Sequence, residues 1–251
     1  MARFLKHIGC DRCGSSDANA VYEDGSQFCF SCRKPTSSKV SPYALLHANS
    51  DSQMETTKKV VLPEDANSNY SERAVSWAGK YEISVLQLLA SGVVYSKKRE
   101  QLIFTFTDEL GELLAYQARN LNAVSKAKRY YTCGDVNNLL PIYHFRFPLP
   151  NGSNHRRLVL VEDCLSAIKI SYTEGLGASA MPLLRSGINK NKLSKLRRSY
   201  DVLDVFLDPD MWHSSLEIAG RAQLLGFKAR PIQADCDPKE LSYEQLKDML
   251  K

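Results

Sequence analysis

The spacing of four cysteines near the start of the sequence constrains the fold more than any other feature. Two Cys-x-x-Cys pairs, Cys10 with Cys13 and Cys29 with Cys32, are separated by fifteen residues. A Cys-x-x-Cys turn presents two sulfurs to one ion, and pairs at this separation are typical of a four-thiolate zinc ribbon. Four thiolates leave no open position on a tetrahedral ion, so the predicted zinc is structural rather than catalytic.

The residues between the two pairs support a ribbon. Residues 20–22 and 27–28 flank a turn at 23–25, which predicts a small hairpin that brings the pairs together. Two alternatives remain open at this point. His7 replaces one thiolate, or the cysteines are buried without a metal ion.

Composition and charge exclude several classes of protein. Hydrophobic residues make up 43% of the chain and charged residues 24%, which is typical of a globular protein. The sequence has neither an apolar run long enough to span a membrane nor the apolar core of a secretory signal, so we expect a cytoplasmic protein without membrane contact. No Gly-x-x-x-x-Gly-Lys-[Ser/Thr] motif occurs, which excludes a helicase motor of that type from this sequence.

The chain is predicted to contain four regions. Residues 1–38 form the ribbon, and the polar composition of 39–70 predicts a flexible linker. Residues 71–154 contain two helical stretches and a β-hairpin. From 155 to 251 short apolar strands alternate with helices, which predicts an α/β sheet with helices on both faces and a closing helix.

Acidic residues follow two of the predicted strands of this sheet. Glu162 follows one strand, and Asp208 and Asp210 follow another. Reactive groups collect at the carboxyl ends of such strands, and alternate residues of an extended segment point the same way, so Asp208 and Asp210 are expected to face one ion. Converging carboxylates select Mg²⁺ or Mn²⁺ and serve phosphoryl transfer. The alternative is that these acids are helix N-caps.

The two acidic motifs resemble a known family. Leu-Val-Leu-Val-Glu162 and Phe-Leu-Asp208-Pro-Asp210 are similar to the two halves of the Toprim fold. A four-cysteine ribbon in front of such a fold resembles the primase half of the primase–helicases of T7-like bacteriophages. The resemblance extends to Tyr-Gln-Ala-Arg119, to the segment that begins at Lys128, and to Asp237-Pro-Lys-Glu, so that it covers most of the chain.

The resemblance implies a DNA primase, which synthesises short RNA primers from ribonucleoside triphosphates on single-stranded DNA during DNA replication. It implies a two-metal Toprim site with Asp237 as an additional magnesium ligand. A separate replicative helicase and a DNA polymerase are the implied partners, in the bacterial cytoplasm if the protein is phage-encoded. The implied catalytic residues are Glu162, Asp208, Asp210, Lys128 and Arg119.

Basic residues supply the candidate template contacts. Residues 175–200 contain no acid while lysine and arginine recur, which predicts a basic helix that tracks the template with salt-dependent affinity. The alternative is an ordinary solvated helix face. The candidate nucleic-acid-binding residues are Arg12, Asp24, Lys126, Arg129, Lys192, Lys195 and Arg197.

The sequence departs from the family pattern beside the Toprim glutamate. The family usually carries glycine directly after this glutamate and aspartate four positions on, where this chain has Asp163 and Ser166. Ser166 removes one implied metal ligand, and Asp163, placed on a strand, is expected to face away from Glu162. Two other functions stay open: a Toprim nuclease, and a non-catalytic zinc-ribbon and Toprim module that binds DNA and recruits a helicase.

Overall fold

A computed structural model describes most of the 251-residue chain, in two compact units. The units are Met1–Lys59 and Val60–Lys251. No helix within the described parts is long and apolar enough to cross a membrane. The described residues are 3–10, 15, 17–32, 34–35, 59–125, 129–136, 139–147, 156–184 and 187–251. Four predicted site residues lie outside them: Arg12, Cys13, Lys126 and Lys128.

The first unit contains a four-stranded antiparallel sheet whose strands are adjacent in chain order. Its strands are β1 (Phe4–Ile8), β2 (Asn19–Tyr22), β3 (Gln27–Cys29) and β4 (Lys34–Pro35). The predicted hairpin is confirmed, since β2 pairs with β3 and Gly25 adopts the positive φ of 79° that the turn requires. Among the described residues of this unit, four are buried: Cys10, Asn19, Ala20 and Cys29.

The second unit begins with a five-stranded antiparallel sheet, again in chain order. Its strands are β5 (Ala66–Asn67), β6 (Val93–Ser96), β7 (Gln101–Thr107), β8 (Leu113–Asn120) and β9 (Tyr130–Gly134). The predicted hairpin is the β7–β8 pair. Because β5 pairs with β6, the last part of the predicted linker, residues 60–70, belongs to this unit rather than to a tether.

Two short helices lie between β5 and β6, as the sequence predicts. They are α1 (Glu72–Gly79) and α2 (Val85–Ala90). Ser71 caps α1 by accepting a hydrogen bond from the backbone of Ala74, and Ser84 forms a capping box with Gln87 at the start of α2.

A four-stranded parallel sheet follows, in the order β11-β10-β12-β13. Its strands are β10 (Arg157–Val161), β11 (Ala178–Pro182), β12 (Val202–Val205) and β13 (Lys228–Pro231). The helices that follow these strands are α3 (Cys164–Ser171), α4 (Lys190–Arg197), α5 (Trp212–Leu224) and α6 (Tyr243–Met249). The predicted alternation of strand and helix is confirmed.

Both faces of this parallel sheet are covered. Val159 and Val161 of β10 belong to a core that includes α3, whereas Leu158 and Leu160 belong to a second core with α4 and α5. The continuous apolar run of β10 therefore reflects burial on both faces. The first core also contains Phe104 of β7, so the antiparallel and parallel sheets share one interior.

Candidate functional site

Three of the four predicted zinc ligands converge in the first unit. Their Sγ atoms all lie within 4.8 Å of one another, and those of Cys10 and Cys32 are 3.9 Å apart; the third belongs to Cys29. Sulfurs bound to one tetrahedral zinc at about 2.3 Å lie about 3.8 Å apart, so this spacing fits a shared ion. The alternative ligand His7 instead hydrogen-bonds the carbonyl oxygen of Asp17 through Nδ1 at 2.9 Å.

Asp24, predicted as a template contact, closes the turn of the ribbon hairpin. Its Oδ1 accepts hydrogen bonds from the side-chain Oγ and the backbone N of Ser26, and these bonds lower the pKa of the exposed Asp24 carboxyl. In the same unit, the half-exposed rings of Phe4 on β1 and of Phe30, just after β3, flank His7, with ring centroids 4.9 and 6.2 Å away. Exposed rings of this kind are surfaces on which single-stranded bases stack.

A cleft of about 650 Å³ opens in the second unit at the carboxyl ends of β10 and β12. One wall carries the acids that follow these strands, and another wall carries residues of α1, β8 and β9. The acids that line the cleft are Glu162, Asp163, Asp208, Asp210, Asp237 and Glu240. The cations that line it are Arg119, Arg129 and Lys239.

Asp208 is the acid whose surroundings most disfavour a negative charge. Burial raises the pKa of its carboxyl to about 7, Asp237 and Glu162 act in the same direction, and Lys239 opposes them. Its Oδ1 is buried without a hydrogen-bond partner in the described part of the chain. An unpartnered carboxylate oxygen among other acids fits a hard divalent cation, which supplies the missing partner and positive charge.

Asp210 reaches the same cleft by a different route from the one predicted. Pro209–Met211 forms a 3₁₀ turn, not the extended segment on which Asp208 and Asp210 were expected to alternate. Proline fixes φ at a helical value, so the chain turns as soon as it leaves β12. As a result Asp208 is partly buried while Asp210 is exposed at the rim.

The carboxylates of the cleft are not gathered as tightly as the thiols. Within the described ranges, the cysteine cluster is the only group of three potential ligand atoms that all lie within 4.8 Å of one another. Glu162, Asp208 and Asp210 therefore share a cleft but stand further apart. Like charges in a poorly solvated site repel, and a bound cation between carboxylates removes this repulsion.

Asp163 lines the cleft as well, which corrects the expectation that it faces away from Glu162. Strand β10 ends at Val161, and Asp163 is the N-cap of α3 rather than a strand residue. Its Oδ1 accepts hydrogen bonds from the backbone N of Leu165 and Ser166 at 2.8 and 3.1 Å. The Oγ of Ser166 donates to the other oxygen at 3.2 Å, so Ser166 supports this cap.

Lys239 also lines the cleft, although no sequence pattern predicts a role for it. Its Nζ donates to Oδ2 of Asp163 at 2.9 Å and to Oδ2 of Asp237 at 2.5 Å. Burial opposes the charge of Lys239, but these two carboxylates outweigh it and raise the pKa of the ammonium above its usual value. Asp237, implied as a magnesium ligand, is thus paired with a cation of the chain itself.

A second buried lysine anchors the turn that carries Lys239. Lys169 of α3 is 1% exposed, and its Nζ donates to the carbonyl oxygen of Lys239 at 3.1 Å. The same ammonium lies 3.1 Å from Oε2 of Glu82 and 5.2 Å from the ring centroid of Tyr243. The position of Lys239 is therefore fixed through its backbone as well as through its side chain.

Arg119 lies between two aromatic rings on the wall formed by α1, β8 and β9. Its guanidinium carbon is 5.1 Å from the ring centroid of Trp77 and 4.9 Å from that of Tyr130. Its Nε is buried without a hydrogen-bond partner among the residues described. Stacking holds the planar group in one orientation and leaves its edge for a planar or tetrahedral anion.

Two of the three predicted template contacts on helix α4 have other roles. Lys192 is buried, and its Nζ donates to the carbonyl oxygen of Val136 at 3.0 Å. Arg197 pairs with Asp201 and donates through Nε to the carbonyl oxygen of Gly226 at 3.1 Å. Lys195 is exposed and remains a candidate.

The chain is similar in sequence and in structure to phage primases. No family model matches the chain. The chain is 59% identical over 29 residues to a DNA helicase/primase of Enterobacteria phage T3, and this match spans 12% of the chain and 5% of the phage protein. The primase fragment of the bacteriophage T7 primase–helicase superposes with a TM-score of 0.53 at 19% identity and covers 98% of each chain. The chain has the primase fold.

Two further primase structures agree with this fold. The zinc-binding and RNA polymerase domains of the Aquifex aeolicus primase match 99% of this chain and 79% of their own, with a TM-score of 0.54 and 12% identity. A DnaG primase catalytic domain bound to single-stranded DNA matches 70% of this chain and 69% of its own, with a TM-score of 0.53 and 13% identity. The predicted ribbon and α/β architecture are thereby confirmed.

Proposed function

We propose that the protein is a DNA primase that joins ribonucleoside triphosphates into short RNA primers on single-stranded DNA. The observation that carries the proposal is the buried oxygen of Asp208, which has no hydrogen-bond partner among the described residues, in a cleft that the stacked guanidinium of Arg119 also lines. Acids that hold a divalent cation opposite a fixed cation are what phosphoryl transfer requires. The primase fold of the chain supports the same reaction.

Each wall of the cleft has a separate task in this proposal. Glu162, Asp208 and Asp210 hold Mg²⁺ or Mn²⁺, which when bound polarises the phosphate and stabilises the attacking and leaving oxygens. Arg119 and Arg129 line the other wall and bind the triphosphate of the incoming nucleotide. Lys128, which the family resemblance implies as a catalytic residue, is proposed to contact the nucleotide as well.

The ribbon supplies template binding in this proposal. Cys10, Cys13, Cys29 and Cys32 bind one structural zinc ion, as the spacing of the three described thiols supports. The exposed rings of the ribbon, with Arg12, contact the single-stranded template. A separate replicative helicase and a DNA polymerase are the proposed partners, in the bacterial cytoplasm.

One observation favours a non-catalytic module as the second candidate. Ser166 replaces an implied metal ligand, and Lys239 already pairs with both Asp163 and Asp237. A cleft with fewer available carboxylates binds metal more weakly. In that case the chain binds DNA and recruits a helicase without synthesising primers.

The variant Glu162→Gln tests the proposal. We expect the wild type to make short labelled RNA on single-stranded DNA of mixed sequence with Mg²⁺ or Mn²⁺, and the variant to lose about hundredfold in rate because one anionic ligand is gone. Affinity for single-stranded DNA should not change. The control is Glu244→Gln, an exposed residue of α6 that keeps full activity. A wild type that binds zinc and DNA but makes no primer supports the recruiting module instead.

The variant Arg119→Lys tests the role of the stacked guanidinium. Lysine keeps the charge but loses the planar group that Trp77 and Tyr130 orient, so the KM for ribonucleotides should rise about tenfold. Arg146→Lys is the matched control, since Arg146 also stacks on a ring, that of Tyr172, but does not line the cleft. Equal effects of the two substitutions would contradict the assignment.

A further inference from the structure

The lone pairs of Asp163 are fully used within the chain. Its two oxygens accept hydrogen bonds from the backbone of Leu165 and Ser166, from the hydroxyl of Ser166 and from the ammonium of Lys239. A carboxylate offers about four such positions. Asp163 therefore has no lone pair left for a metal ion, although it lines the acidic cleft.

Lys239 cannot move away from this arrangement at low cost. Its side chain is 11% exposed and lies between Asp163 and Asp237, while Lys169 holds its carbonyl oxygen. Removing the ammonium from its place would leave two poorly solvated carboxylates unpaired, and unpaired buried charges are strongly destabilising. The charge of Lys239 is thus a constant feature of the cleft.

Asp208, unlike Asp163 and Asp237, is not hydrogen-bonded to Lys239 among the described contacts. It keeps a buried oxygen without a hydrogen-bond partner among the described residues, on the side of the cleft that follows β12. The cleft is therefore divided. One half already holds an ammonium, that of Lys239, paired with Asp163 and Asp237, and the other half, around Asp208, needs a cation from solution.

We propose that Lys239 takes the place of a second metal ion, so that the cleft binds one divalent cation through Glu162, Asp208 and Asp210. The inference rests on the proposed function, because it concerns how the same cleft holds its metal. A fixed ammonium supplies positive charge next to the transferring phosphates without needing to be bound from solution. Asp163 and Asp237 then act as positioning residues for Lys239 rather than as metal ligands.

The number of bound Mn²⁺ ions tests this proposal directly. The zinc-loaded 251-residue protein is titrated with Mn²⁺ without nucleotide or DNA, and free Mn²⁺ is measured by electron paramagnetic resonance. We expect one ion per wild-type chain and two per Lys239→Met chain. The first ion should bind the variant about tenfold more tightly, because one nearby positive charge is removed. Lys228→Met, at an exposed position of β13, is the control and should match the wild type.

A double variant separates the charge of Lys239 from its effect on folding. Asp163→Asn with Lys239→Met removes both members of the ion pair, and it should bind one Mn²⁺ because the second set of ligands is lost. Two ions or none in the wild type overturn the proposal, whether or not Lys239→Met folds. A folded Lys239→Met chain that binds one ion also overturns it. One bound ion without primer synthesis would support the role of Lys239 and refute the primase activity. Primer synthesis with two bound ions would support the primase activity and refute the role of Lys239.

Discussion

Replacing Asp208 by asparagine is expected to abolish primer synthesis and to stabilise the protein that lacks Mg²⁺ and Mn²⁺. The loss of activity should be about thousandfold, because the variant lacks the buried anionic oxygen that we propose as a ligand of the metal ion. The gain in stability follows from burial, which raises the pKa of Asp208 to about 7 and so marks its charge as unfavourable. Allowing for solvent screening of a partly buried group, we expect the free energy of unfolding to rise by about 1 to 2 kcal/mol.

The stabilisation should depend on pH in a defined direction. The folded chain holds the proton of Asp208 more tightly than the unfolded chain does, since the pKa rises from 3.8 to about 7 on folding. The contribution of this group to the free energy of unfolding therefore falls as the pH rises from about 4 to about 7, and is constant above that range. The asparagine of the variant does not titrate, so the advantage of the variant should be absent near pH 3.5 and complete above pH 7.

Thermal unfolding of the zinc-loaded protein at several pH values measures this difference. At pH 8 we expect the variant to melt about 4 °C above the wild type. Asp204→Asn is the contrasting control, since Asp204 is fully buried between Arg157 and Arg230, at 2.6 and 2.7 Å from their Nε atoms. Its replacement should lower the free energy of unfolding by about 3 kcal/mol, because Arg157 and Arg230 lose their anionic partner. An Asp208→Asn variant that melts below the wild type at pH 8 would contradict the argument.

The fold followed closely from the sequence because its signals are local. The apolar run of β10 marks a buried parallel strand without knowledge of its neighbours, and the spacing of the cysteine pairs marks the ribbon. The position at which the linker ends was harder to predict from the sequence. β5 contains only Ala66 and Asn67, and its strand character comes from pairing with β6, not from its own composition.

The candidate site was harder to predict because its decisive contacts are distant in sequence. The carboxylates that follow β10 and β12 could be placed at one sheet edge from topology alone. The pairing of Asp163 with Lys239 joins residues 76 positions apart, and no periodic pattern specifies it. Lys192 is different, because the helical period already places it on the face of Leu196, which is buried, so its inward position was available from the sequence.

Removing zinc is expected to unfold the first unit while leaving the second unit folded. The described part of the ribbon buries four residues, two of which are the predicted zinc ligands Cys10 and Cys29, so it has almost no apolar core of its own. Binding of a structural zinc contributes about 10 to 16 kcal/mol in such small units, which is the free energy that holds them folded. The second unit, Val60–Lys251, has its own cores and should keep its melting temperature.

The variant Cys29→Ser in the full-length chain tests this dependence. Released zinc should fall from one ion per chain to none, and the amide signals of the ribbon should collapse into the range of unfolded residues. Cys133→Ser is the matched control, since Cys133 lies on β9 outside the thiol cluster and should leave the zinc content at one. A ribbon that stays folded without zinc would contradict the prediction, because the exposed rings of Phe4 and Phe30 do not form a buried core. If it unfolds as expected, template-directed synthesis should fall with it, because the ribbon can then no longer present a stacking surface to the template.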